Sequence, residues 1–111
     1  MDCGGTGVKA MVLDAAGEPA SPRVKRRTPY PCSPAVLVSA VSELAAQTGV
    51  DYDRVSVGFP GMVRNGVVYA TPHYVTEAGP FTPVRPDLVK EWQEFDVRAA
   101  LEAELGRPTR V

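Results

Sequence analysis

Cysteine is scarce in this sequence. Cys3 and Cys32 are the only two among 111 residues, too few for a disulfide framework and not spaced as metal-ligand pairs. The plain reading is two reduced thiols, which fits a cytoplasmic protein. Long apolar runs are also missing: nothing approaches the roughly 20 residues needed to cross a bilayer. The start of the chain has no basic region followed by an apolar stretch, so no signal peptide is read there. Charge of one sign is lacking too. A formal net charge of -1 gives no electrostatic case for nucleic acid or for an anionic membrane. No repeat or low-complexity tract occurs.

What is present suits a packed core. Hydrophobic residues make up 44% and charged residues 23%, which argues against global disorder. The length fits one small domain or a piece of a larger one. Eleven prolines and ten glycines are many for that length. They cluster at 17–34, 58–61 and 72–86, as punctuation between short elements.

Met1, Asp2 and Cys3 lead into a turn of Gly4, Gly5, Thr6 and Gly7. Residues 8–13 predict a strand. Val8, Ala10 and Val12 fall on one face and Met11 and Leu13 on the other, the pattern of a strand buried on both sides. Residues 14–18 predict a hairpin-type loop and residues 23–28 a more exposed strand. Ser33 is a good N-cap, Pro34 suits the first helical position, and Leu37, Val41, Leu44 and Ala45 make a buried stripe. A helix is therefore expected over 33–48, stopped by Gly49. Residues 55–59 alternate as a strand does. Residues 62–64 and 67–69 flank Asn65-Gly66, a strong hairpin signal. Residues 70–95 read as irregular, with one short helix over 87–92. Asp96 caps a last helix carrying Val97, Leu101 and Leu105, ended by Gly106, and residues 108–111 begin another strand. Strand-helix-strand units in this order predict an α/β fold, a mixed sheet with flanking helices.

Two segments carry chemistry. In the first, a carboxylate (Asp2) precedes a Gly-Gly-Thr-Gly turn between strands. Glycines let the backbone turn tightly and bring N–H groups to phosphate oxygens, and the Thr6 hydroxyl adds a donor. Asp2 repels phosphate directly, so its useful role is to hold Mg2+, directly or through water. Lys9 adds positive charge nearby. A functionless Gly-rich hairpin has the same look. In the second, a strand ends in Pro60-Gly61 and a hairpin follows. Ligands bind at that edge of open α/β sheets, although a plain tight turn reads identically.

Together the motifs are more specific. Asp2, Gly4, Gly5, Thr6, Gly7 and Lys9, then Thr28, Pro29 and Pro31, then Gly58, Phe59, Pro60, Gly61, Val63, Gly66, Val67 and Val68 occur in one order. Leu105, Gly106 and Pro108 follow. This order resembles the repressor/open-reading-frame/kinase (ROK) family, and within it the polyphosphate glucokinases. The resemblance implies a ribonuclease-H-like, actin-like ATPase fold, with residues 1–111 as its N-terminal half-domain. It implies a hexose kinase that uses ATP or polyphosphate with Mg2+, a homodimer, and a first phosphate loop at residues 2–7.

 

The same resemblance puts the sugar against Pro60 and Gly61. It puts the catalytic aspartate, in an Asn-Asp pair, just beyond Val111, so no catalytic residue is expected within the chain. Only Met1 precedes Asp2, so the first strand is expected to be short or the chain to be cropped at that end. His73 stands near where such kinases often place a sugar-binding asparagine. It reads either as a surface or packing residue or as a partner for a sugar hydroxyl. Tyr74, Phe81, Trp92 and Phe95 read as loop anchors or as a sugar-stacking wall. Arg23, Lys25, Arg26 and Arg27 read as a solvated edge strand or as a polyphosphate contact. Two other functions stay open: a non-catalytic sugar sensor or repressor domain, and a self-associating interaction domain.

Overall fold

The computed structural model describes residues 1–111. In chain order the elements are β1 (Asp2–Cys3), β2 (Gly7–Ala10), β3 (Val24–Arg27), α1 (Pro34–Gln47), β4 (Val55–Ser56), β5 (Met62–Arg64), β6 (Val67–Ala70), α2 (Pro86–Trp92), α3 (Val97–Leu105) and β7 (Thr109–Arg110). This is the mixed α/β composition that the strand-helix-strand pattern predicts.

β1, β2 and β3 pair antiparallel, and β4 pairs parallel with β7. A parallel bridge between Asp2 and Gly58 joins the two groups. There the Cys3 N–H donates to the Gly58 carbonyl at 2.8 Å, and the Gly58 N–H donates to the Met1 carbonyl at 2.9 Å. The strands thus run in the order β3-β2-β1-β4-β7, with β1 central and as short as expected. Because β1, β4 and β7 are parallel, they end at one edge. Residue 4 begins the turn after β1 there, Pro60 and Gly61 follow β4, and Val111 follows β7.

The helices form where local signals put them. The Ser33 hydroxyl accepts from the Val36 N–H at 3.2 Å and caps α1, and Gly49 follows with a φ of 69°. The Asp96 carboxylate accepts from the Ala99 N–H at 2.9 Å and caps α3, whose C-cap Gly106 is left-handed. Asn65 and Gly66 turn the β5–β6 hairpin with φ of 51° and 81°. α1 packs on β2 and β3, and α3 packs on α1. Val8, Leu37, Val41, Leu44 and Leu101 are fully buried between these layers.

One expectation needs correction. Residues 8–13 are not one strand buried on both faces. β2 stops at Ala10, because the Val12 N–H donates to the Ser21 hydroxyl at 2.9 Å instead of to a strand. Val8 and Ala10 face α1, whereas Met11 and Leu13 are exposed, since no helix packs on the other side of β2. Of the two readings of the aromatic residues, loop anchoring is the one the packing supports. Tyr74 and Trp92 are buried, and Trp92 donates from Nε1 to the Cys32 carbonyl at 2.8 Å. Their rings stack with Phe59 and Phe95 at centroid distances of 5.4–5.7 Å and anchor the 70–95 segment to the core. Phe81 stands apart and fully exposed. No helix is long and apolar enough to cross a membrane.

Candidate functional site

The turn after β1 is held from inside the protein. The Gly4 N–H donates to the Gly7 carbonyl at 2.9 Å and closes it. The Gly4 carbonyl accepts from the Thr28 hydroxyl at 2.8 Å and from the Tyr74 hydroxyl at 3.1 Å. The Gly5 carbonyl accepts from the Tyr30 hydroxyl at 2.5 Å, and the Thr6 carbonyl from the Thr28 N–H at 3.2 Å. Every carbonyl from residue 4 to residue 7 is therefore occupied. The N–H groups of Gly5 and Thr6 make no hydrogen bond within the protein. The turn has its carbonyls occupied and the Gly5 and Thr6 N–H groups free, an arrangement that suits an anion.

Charged groups flank it. Asp2 is exposed, and its Oδ1 lies 3.3 Å from the position a Cβ on Gly58 would take. Lys9 is the cross-strand partner of Asp2 and is also exposed. No group of three His, Cys, Asp or Glu side chains stands anywhere in the chain to enclose a metal. A lone exposed carboxylate beside a phosphate-type turn still fits Mg2+, which usually keeps several waters and takes one or two carboxylates plus phosphate oxygens.

His73 lies against this turn. A Cβ on Gly5 would come within 2.8 Å of its imidazole Cδ2 and 3.2 Å of Pro80 Cγ. The ring nitrogens make no hydrogen bond within the protein, although the His73 carbonyl accepts from the Thr76 N–H at 3.1 Å. The Pro60-Gly61 turn is tied to Thr71, two residues before His73 on the same strap. The Thr71 hydroxyl donates to the Pro60 carbonyl at 3.1 Å, and a Cβ on Gly61 would overlap the Ala70 carbonyl. The fold thus gathers Asp2, the 4–7 turn, Lys9, Pro60, Gly61 and His73 along one edge of the sheet. Sequence reasoning missed Thr28, Tyr30 and Tyr74 as supports of the turn. Only Thr28 had a signal, as part of the Thr-Pro motif.

Burial sets the titration of the groups behind the turn. Desolvation pushes the Tyr30 hydroxyl up to about 12, and raises Tyr74 well beyond the ordinary tyrosine range. Both stay protonated donors through the physiological range. Burial likewise pushes the Cys3 and Cys32 thiols up to about 12. Both are free and buried. A cleft of about 1160 Å³ lies at the opposite end of the sheet, lined by residues such as Met11, Leu13, Asp53 and Arg54. None of the expected site residues lines it.

No protein-family model and no curated protein matches the chain by sequence. Solved structures do. An inorganic polyphosphate/ATP-glucomannokinase from Arthrobacter sp. strain KM superposes with a TM-score of 0.74 at 30% identity, over 99% of this chain and 41% of its own. A ROK family glucokinase from Streptomyces griseus, in complex with glucose and AMPPNP, gives 0.67 at 26% identity, over 99% of this chain and 30% of its own. A ROK hexokinase from Thermus thermophilus gives 0.64 at 27% identity, over 97% of this chain and 32% of its own. The chain therefore spans less than half the length of these kinases. Along nearly all of its own length, its likeness to the ROK family is shown in three dimensions as well as in its motifs.

Proposed function

We propose that the chain is the N-terminal, ribonuclease-H-like half-domain of a hexose kinase, and that it supplies the first phosphate loop and part of the sugar site. The observation that carries this reading is the 4–7 turn, with its carbonyls occupied and the Gly5 and Thr6 N–H groups free beside the exposed Asp2. Those N–H groups and the Thr6 hydroxyl bind the phosphate oxygens of ATP or polyphosphate. Asp2 holds Mg2+, directly or through water, and the ion when bound neutralises phosphate charge. Pro60 and Gly61 shape the sugar subsite. His73 offers free ring nitrogens to a sugar hydroxyl from its place against Gly5. A carboxylate from outside these residues takes the proton of the attacking hydroxyl. Transfer is then in-line, and the turn contributes by positioning and by stabilising charge.

Amide spectra of the 15N-labelled chain test this. Mg2+ with ATP is expected to shift Gly5 and Thr6, and glucose to shift Gly61 and His73. Asp2→Asn is expected to remove most of the Mg2+ dependence of the first response while leaving the second. Spectra that do not move at Gly5 and Thr6 would reject the phosphate role.

A further inference from the structure

The hydroxyl groups of Thr28, Tyr30 and Tyr74 have no part in the sugar or phosphate contacts assigned above. They nevertheless all end on carbonyls of one turn. A trans peptide is planar, and its C=O and N–H point in opposite directions. Fixing a carbonyl inward therefore fixes the N–H of the next residue outward. The Tyr30 hydroxyl on the Gly5 carbonyl sets the Thr6 N–H. The Thr28 and Tyr74 hydroxyls on the Gly4 carbonyl set the Gly5 N–H. A regular antiparallel pair would also exchange a second hydrogen bond, from the Thr6 N–H to the Thr28 carbonyl. Here only the Thr28 N–H to Thr6 carbonyl bond forms, so the Thr6 N–H is released from the ladder.

We propose that Tyr30, and Thr28 with Tyr74, are positioning residues that aim the Thr6 and Gly5 N–H groups, respectively, at an anionic phosphate ligand. Glycine at 4 and 5 leaves the turn soft, so its peptide planes need outside support. Tyr30 also packs beneath the Thr76–Thr82 loop, where a Cβ on Gly79 would lie 3.2 Å from its Cε2. That contact holds the ring, and Tyr30→Phe would keep it while deleting only the hydroxyl.

The inference rests on the phosphate-loop reading, and one titration separates the two. The probe is Mg2+ with inorganic tripolyphosphate, followed by amide shifts in the 15N-labelled 111-residue chain. Tyr30→Phe is expected to weaken binding by roughly three- to tenfold, with the loss of response concentrated at Thr6. The double variant Thr28→Val with Tyr74→Phe is expected to do the same at Gly5, and each single variant less, because two donors share one acceptor. Wild-type binding with a Tyr30→Phe affinity within twofold of it would overturn the positioning role and leave the phosphate reading standing. A wild-type chain that shows no response at Gly5 or Thr6 would overturn both. A uniform loss across the spectrum, without the Gly5 and Thr6 pattern, would also overturn the positioning role.

Discussion

Gly5 shows how much one missing methyl can decide. Its hydrogen side chain lets the His73 ring lie on the 4–7 turn, and a Cβ there would sit 2.8 Å from Cδ2. Gly5→Ala is therefore expected to push His73 and its strap away and to weaken both phosphate and sugar responses. His73→Ala in the Gly5→Ala background removes the clash and is expected to recover the phosphate response but not the sugar one. Affinities of the four members of that double-mutant cycle check it, and simple additivity would show that the contact does not couple the two subsites. The Gly-Gly-Thr-Gly turn was legible in the sequence because glycine marks tight backbone on its own. The His73 contact was not, because 68 residues separate it from Gly5 and nothing local encodes the meeting.

Elements divide the same way. The caps at Ser33 and Asp96, the left-handed Gly49 and Gly106, and the Asn65-Gly66 hairpin were readable, since each is decided within about four residues. The extent of β2 was not. It depends on the Ser21 hydroxyl taking the Val12 N–H, and on α1 covering only one face. Central β1 and the start of α1 carry a consequence of burial. Cys3 on β1 and Cys32 just before α1 hold thiols pushed up to about 12, from an ordinary value of 9.0. An unfolded chain loses those protons near 9, whereas the folded chain keeps them to about 12. Above pH 9 the unfolded state thus binds fewer protons, and stability falls as pH rises. The thermal midpoint is expected to be flat with respect to these thiols below pH 9 and to drop between 9 and 12. Cys32→Ala should make that drop shallower, and an unchanged slope would show that the thiol does not contribute.

At the scale of the whole molecule, net charge hides a local asymmetry. The formal charge is -1, yet the helix-free face of β1–β2–β3 carries Lys9, Lys25 and Arg27, all exposed. Register sets Lys9 opposite Lys25 and Arg27 opposite Gly7, so the row leads to the 4–7 turn. None of the three makes a salt bridge. Arg26 leaves this group: it points to the helix side and pairs with Glu43 at 2.7 Å. The sequence showed four basic residues close together but not that Lys25 and Arg27 line up with Lys9 and the turn, because that needs the strand register. Protection of an edge strand requires only that the charges be present. A track for a long phosphate chain requires that they line up with the turn, as these do. Lys25→Glu with Arg27→Glu is accordingly expected to weaken a long polyphosphate by roughly three- to tenfold at low salt, and tripolyphosphate much less. The difference should shrink as ionic strength rises toward 1 M, where the screening length falls to about 3 Å. Equal losses for the long and short chains, or none, would leave the row as edge protection alone.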